Sequence, residues 1–217
     1  LGDKRGMGFS FNGIGNIYYS KGDIDTALDY YERSLVIKEV FGDKRGMGSS
    51  LINIGNVYYY KGDYDTALDY YERSLSIQEE LGDKHGMGGS LESIGSVHFY
   101  KGDYKKAEEY LDKSLAIQKE IGLGGELPVR TNTYLYLTYK HLDKEYDEKD
   151  IHNLIKDAEN IEFELNLRLY ELLADKSYLE TAYNQVQEKA SAMDVAAKFL
   201  ELPIPAAIVE EWEKLTP

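Results

Sequence analysis

The sequence predicts an all-α solenoid of stacked antiparallel helix pairs, and three observations carry that expectation. The block GDKRGMG begins at Gly2, recurs at Gly42 and returns as GDKHGMG at Gly82, 40 residues apart each time. A second block, YYERSL, starts at Tyr30 and Tyr70, with YLDKSL at Tyr110. Between these blocks apolar residues recur three and four positions apart, the helical spacing, in two runs per period. A fixed period of this size marks a unit that cannot bury its faces alone and does so by stacking on its neighbours.

The unit Gly42 to Leu81 shows how each element is specified. Asp43 is placed to cap a first helix whose apolar face includes Leu51, Ile54, Val57 and Tyr58. Lys61-Gly62-Asp63 ends it: Gly62 tolerates the left-handed conformation after a helix, and Asp63 caps the next one. The second helix presents Tyr64, Ala67, Leu68, Tyr71 and Leu75 on one face, with Gln78 following in the same register. Gly55 and Ala67, with their counterparts Gly15 and Ala27, then Gly95 and Ala107, mark where two helices approach closely. A glycine inside a helix costs about 1 kcal/mol relative to alanine, so its return at each copy implies a steric need. The regular copies are 2–41, 42–81 and 82–121, which together form the segment 1–121.

Gly122-Leu123-Gly124-Gly125 interrupts the period. Beyond it, residues 122–192 read as about two degenerate hairpins. Pro128 suits the start of a helix to about His141, a further helix is expected from Asp147 to Asn160, and Leu165–Ala174 with Tyr178–Ala192 forms another pair. Residues 193–217 are expected to cap the array: Pro203 and Pro205 break the chain, and Ala206–Leu215 is a short amphipathic helix carrying Ile208 and Trp212. Roughly ten helices result.

Composition narrows the function. The net charge of −14 argues against nucleic acid and against an anionic membrane as partners. Most of it lies late: residues 1–121 hold 15 basic and 20 acidic side chains, leaving −9 for the remainder. There is no cysteine, so disulfides and thiolate chemistry are excluded. No transmembrane-length apolar run or secretory leader is present, and a cytoplasmic location is favoured. Leu1-Gly2-Asp3 aligns with Phe41-Gly42-Asp43, so the chain is expected to be a piece of a longer protein. His85, His98, His141 and His152 form no ligand pair. The glycine runs lack the strand and the terminal GK[ST] of a phosphate loop, and Asp147-Glu148-Lys149-Asp150 lacks the glycine of a calcium loop. Neither cofactor, metal nor catalytic residue is expected, and the chain reads as no enzyme.

The run Asn53 to Ala67 resembles the tetratricopeptide repeat. Gly55, Tyr58, Gly62, Tyr64, Ala67 and Tyr71 match the family pattern in order, and the long 40-residue period resembles kinesin light chain-type and bacterial signalling arrays. The resemblance covers residues 2–121. It implies a right-handed superhelix whose first helices line a concave groove, and hence a non-catalytic scaffold that binds a protein or peptide, as the sensory or interaction segment of a larger signalling protein. The implied groove positions are Phe9, Asn12, Gly13, Asn16, Tyr19 and Ser20; Ser49, Ile52, Asn53, Asn56, Tyr59 and Tyr60; and Gly89, Glu92, Ser93, Ser96, Phe99 and Tyr100. Of these, Asn12, Asn16, Tyr19, Asn53, Asn56, Tyr59, Tyr60, Glu92, Ser96, Phe99 and Tyr100 are the candidate binding residues. Amides can pair with an extended backbone, and aromatics give contact area with few rotors to freeze. Tyr58, Tyr71 and His98 are expected in the core. Copies 2–41 and 42–81 are about three-quarters identical, and Phe9/Ser49, Asn12/Ile52, Gly13/Asn53 and Ser20/Tyr60 differ on the implied groove face. The carboxylate clamp of chaperone-binding members is not expected: Asn16 and Asn53 match its amides, but Asn12, Gly89 and Ser93 stand where its cations belong. The alternatives are a homo-oligomerisation module and an intramolecular regulator of a fused kinase, cyclase or DNA-binding domain.

Overall fold

The computed structural model describes residues 4–124, 126–156, 158, 161–193 and 195–216, with Arg5, Glu126 and Glu148 described by their backbone alone. Leu1, Gly2, Asp3, Gly125 and Asn160, which entered the sequence reading, lie outside the described residues. Twelve helices and no strand occur among the described residues. None of the helices is long and apolar enough to cross a membrane. The chain divides into two units, residues 1–83 with 189–203, and residues 84–188 with 204–217. This division differs from the expected boundaries at 121 and 192, and it splits the expected terminal cap between the units.

The first unit holds two hairpins, α1 (Lys4–Ser20) with α2 (Ile24–Val40) and α3 (Lys44–Tyr60) with α4 (Tyr64–Leu81). Asp43 Oδ1 accepts from the Gly46 amide at 3.1 Å, and Asp63 Oδ1 from the Thr66 amide at 3.2 Å, so both caps form as their sequence positions require. Gly62 sits at φ 77°, in the left-handed region that glycine enters without a Cβ penalty. Tyr31, Leu35, Leu51, Ile54 and Val57 form the core. A Cβ added to Gly55 would stand 2.6 Å from Cε1 of Tyr71, which is the steric need its recurrence implied. Ser34 donates to the Gly8 carbonyl at 2.7 Å and Ser74 to the Gly48 carbonyl at 3.0 Å, locking each second helix to its first.

The second unit begins with α5 (Lys84–Tyr100) and α6 (Tyr104–Glu120), locked the same way by Ser114 on the Gly88 carbonyl at 2.7 Å. Then follow α7 (Glu126–His141), α8 (Glu148–Lys156), α9 (Phe163–Leu173) and α10 (Lys176–Ser191), packed around Leu111, Tyr134, Leu137, Ile151 and Leu169. The expected helix at 147–160 is shorter, ending at Lys156.

Two late elements differ from expectation. A short α11 (Ala196–Leu200) was not foreseen; its Phe199 is buried, and Met193 fills the space over Gly22 in the first unit. Pro203 and Pro205 do not break the chain. They occupy the first turn of α12 (Pro203–Leu215), where backbone N–H groups have no helical acceptor and proline costs nothing. In the second unit Ile208 is fully buried, Trp212 stacks on Tyr183 at 5.2 Å, and Tyr170 donates to Glu211 at 3.3 Å.

Candidate functional site

The candidate residues fall into both units, and each group is built by its own neighbours. In the first unit α1 and α3 lie side by side and bring Asn12, Asn16, Asn53 and Asn56 onto adjoining helix faces. Asn53 Nδ2 donates to Asn12 Oδ1 at 3.2 Å and to Asn16 Oδ1 at 3.3 Å. The core tyrosines reach up to this layer: Tyr31 donates to Asn16 Oδ1 at 2.9 Å, and Tyr71 donates to Asn56 Oδ1 at 2.7 Å. Burial pushes the Tyr31 phenol up to about 12, so it is a donor at neutral pH. Asn16 is exposed, while Asn12, Asn53 and Asn56 are half-buried. Tyr19 and Tyr60, also half-buried, meet edge to face at 5.5 Å at the far end of the same two helices.

Tyr59 is a correction. It is 4% exposed and packs against Tyr64 in the first turn of α4, because its register turns it into its own hairpin. Tyr71 is buried as expected. Tyr58 is only half-buried, stacked on Tyr70 at 5.7 Å.

Lys38 was missed. It is 3% exposed, its Nζ donates to Ser50 Oγ at 2.9 Å, and Ser50 in turn donates to Asn12 Oδ1 at 3.3 Å. A positive charge therefore lies directly beneath the amide layer. It comes from the second helix of the hairpin, whereas the cation positions of the carboxylate clamp, at Asn12, Gly89 and Ser93, all lie on first helices. The available signal was register: the other two copies carry Gln78 and Gln118 at this place. Burial holds the Lys38 ammonium below the ordinary lysine range, with Asp43 opposing that shift.

In the second unit three of the four candidates are corrected by burial, and the fourth is half-buried. Ser96 is 1% exposed, with its hydroxyl donating to the Ser93 carbonyl at 2.9 Å. Phe99, 8% exposed, belongs to the core and meets Tyr134 edge to face at 5.5 Å. Glu92, 3% exposed, accepts from Arg130 Nε at 3.0 Å. Tyr100 is half-buried, its hydroxyl 3.2 Å from that of Tyr134. The physical reason is shared: α7 packs along α5 and covers its face. Tyr134, fully buried, also donates to Glu164 Oε1 at 2.6 Å. His98 is buried as expected and stacks on Tyr110.

Family models for the tetratricopeptide repeat match residues 7–80 and 88–121. No curated protein sequence matches the chain. Among solved structures, the apo form of RapI is similar at 15% identity, with a TM-score of 0.70 over 99% of this chain and 87% of that one. A Rap protein complexed with competence and sporulation factor is similar at 16% identity and a TM-score of 0.66, over 99% and 67% of the two chains. A putative kinesin light chain of Podosopora anserina with nearly identical TPR-like repeats is similar at 15% identity and a TM-score of 0.57, over 99% of each chain. At these identities the likeness shows the helical-solenoid fold alone. Residues 7–80 and 88–121 of this chain thus belong to the tetratricopeptide-repeat family.

Proposed function

We propose that the chain is a non-catalytic peptide-binding scaffold and that its ligand, an extended segment, lies along α1 and α3. The observation that carries this is the amide layer. Tyr31 and Tyr71 hold the carbonyl oxygens of Asn16 and Asn56, which directs each Nδ2 to an incoming backbone carbonyl. Asn53 spends its Nδ2 on Asn12 and Asn16 and offers Oδ1 to a backbone N–H. Amides fixed in advance cost a ligand little ordering on the protein side. Tyr19 and Tyr60 give an aromatic end to the track. The Rap protein complexed with competence and sporulation factor supports recognition of a bound factor by this fold. A role as the sensory or interaction part of a larger signalling protein fits the same reading.

The test is selection from a random peptide display library, followed by affinity measurement of the selected peptides. Asn56→Ala with Tyr60→Ala should weaken binding about tenfold or more while the circular dichroism spectrum stays helical. Unchanged affinity in the folded double variant would remove the ligand from this face.

A second reading, self-association, is favoured by one observation. Ile17 is 54% exposed, whereas its counterparts Val57 and Val97 are fully buried, and Phe9, Val36, Val40 and Phe41 are exposed on the same hairpin. An uncovered apolar edge suits a second copy. Light scattering over a concentration series separates the readings: a mass that doubles with concentration, and that Ile17→Glu returns to monomer, favours association.

A further inference from the structure

A cavity of about 630 Å³ opens in the second unit between α6, α7 and α8. This lies within the range of small-ligand sites. Leu115, Leu135 and Leu154 supply apolar wall. Gln118 also lines it and is 1% exposed. Its Nε2 donates twice, to Ser114 Oγ and Thr131 Oγ1, each at 2.7 Å, while its Oε1 has no hydrogen-bond partner. Gln78 keeps an unpartnered Oε1 as well; Gln118 in addition lines the cavity. Leaving a buried acceptor unmet is unfavourable, so a ligand N–H delivered there recovers a hydrogen bond.

The exposed rim adds acceptors. Asp112 and Asp150 line the same cavity. Tyr139 hydrogen-bonds Asp112, and Tyr136 donates to Asp150 Oδ2 at 3.4 Å. Each carboxylate is thereby oriented and retains acceptor capacity. One ammonium, Lys119, stands against these two carboxylates, so the lining carries net negative charge. None of these residues belongs to the peptide track on α1 and α3, and this site stands or falls independently of that reading.

We propose that this cavity binds an organic cation, an alkylammonium or alkylguanidinium, whose N–H groups meet Asp112, Asp150 and Gln118 Oε1 while its carbon chain lies on Leu115, Leu135 and Leu154. A free amine and a basic side chain of a peptide share this chemistry.

Agmatine and the peptide acetyl-Gly-Arg-Gly-amide are titrated separately into the ¹⁵N-labelled full chain, and amide shifts are followed by NMR. At least one probe should give saturable shifts at Leu115, Gln118, Tyr136 and Leu154. Asp112→Asn with Asp150→Asn should weaken that binding about tenfold or more. Leu154→Trp, which fills the cavity without touching the carboxylates, should abolish it. Both variants are checked for native helicity, so that a fold defect is seen as such. Agmatine binding more tightly identifies a free amine; the peptide binding more tightly identifies a basic side chain. If neither probe perturbs these amides at up to about 10 mM, or if the folded variants bind as the wild type does, the proposal is overturned.

Discussion

The regular repeats and the helix pairs after residue 122 close their turns with the same backbone and different residues. In the regular copies the turn after the first helix carries Gly22, Gly62 or Gly102, at φ 74–77°. In the later pairs Asp143 and Ala174 stand at the corresponding turns, each at φ 54°. At Asp143 the hydrogen bond that seals the turn is also kept: Asp63 N donates to the Tyr58 carbonyl at 2.9 Å, and Lys144 N to the Tyr139 carbonyl at 2.9 Å. Chain reversal between two packed helices thus fixes the conformation, and glycine is only its least strained occupant. Where that occupant was replaced, the sequence signal faded while the turn remained.

The comparison can be broken most severely at the helix crossing. Gly55→Ala should destabilise the chain by about 1–3 kcal/mol in denaturant unfolding, because the added methyl meets the Tyr71 ring. Gly13→Ala, also inside a first helix but with nothing within 4 Å of the added Cβ, should instead be neutral or stabilising by up to ~1 kcal/mol. Equal losses in both would show that helix propensity, and not the crossing, governs the repeated register.

The turn comparison predicts opposite signs. Gly102→Ala, at φ 74° with open space around it, should cost about 1–2 kcal/mol from conformation alone. Ala174→Gly should gain up to about 1 kcal/mol, since it relieves the same strain against a higher unfolded-state entropy. Thermal denaturation of the two variants checks both; a loss of stability in Ala174→Gly would mean that its methyl group contributes packing that outweighs strain.

A smaller effect sharpens the contrast among the regular copies. Tyr71→Phe removes the hydroxyl that holds Asn56 and should cost ~1 kcal/mol. The third copy has replaced both partners, with Leu111 for the tyrosine and Ser96 for the amide, and both are buried. The pair therefore changes as a unit, which is why the amide layer does not continue onto α5.

The last contrast is Lys38 against Gln78 and Gln118. Burial lowers the Lys38 pKa in the folded state, so the unfolded chain holds that proton more tightly. Between the folded value and the ordinary lysine value, stability contributed by this group rises with pH. Lys38→Gln should flatten that alkaline rise in urea midpoints while leaving the neutral-pH helix content unchanged. A slope identical to the wild type would place the titration elsewhere.

Legibility in the sequence followed the repeat. Asp43, Gly62, Asp63, Gly55 and Tyr71 each returned at a fixed interval and could be assigned a local job from chemistry alone, and the structure gives them those jobs. The proline reading at Pro203 failed because a helix's first turn asks nothing of the residue's N–H, and only the position of the helix start reveals that. Burial of Tyr59, Glu92, Ser96 and Phe99 was not legible from helix periodicity, since a position facing a groove and one facing the next helix share the same register.

By itself the sequence determined the period, the caps, the turn glycines and the tetratricopeptide character of residues 7–80 and 88–121, because these depend on interactions within about 40 residues that repeat. Tertiary structure alone decided which faces stay open. Lys38 meets Ser50, and through it Asn12, across three helices, α7 covers α5, and Gln118 and Asp112 of α6 gather with Asp150 of α8 around one cavity. Such meetings depend on how far side chains from separate helices reach across a packed interface, a distance that no spacing along the chain records.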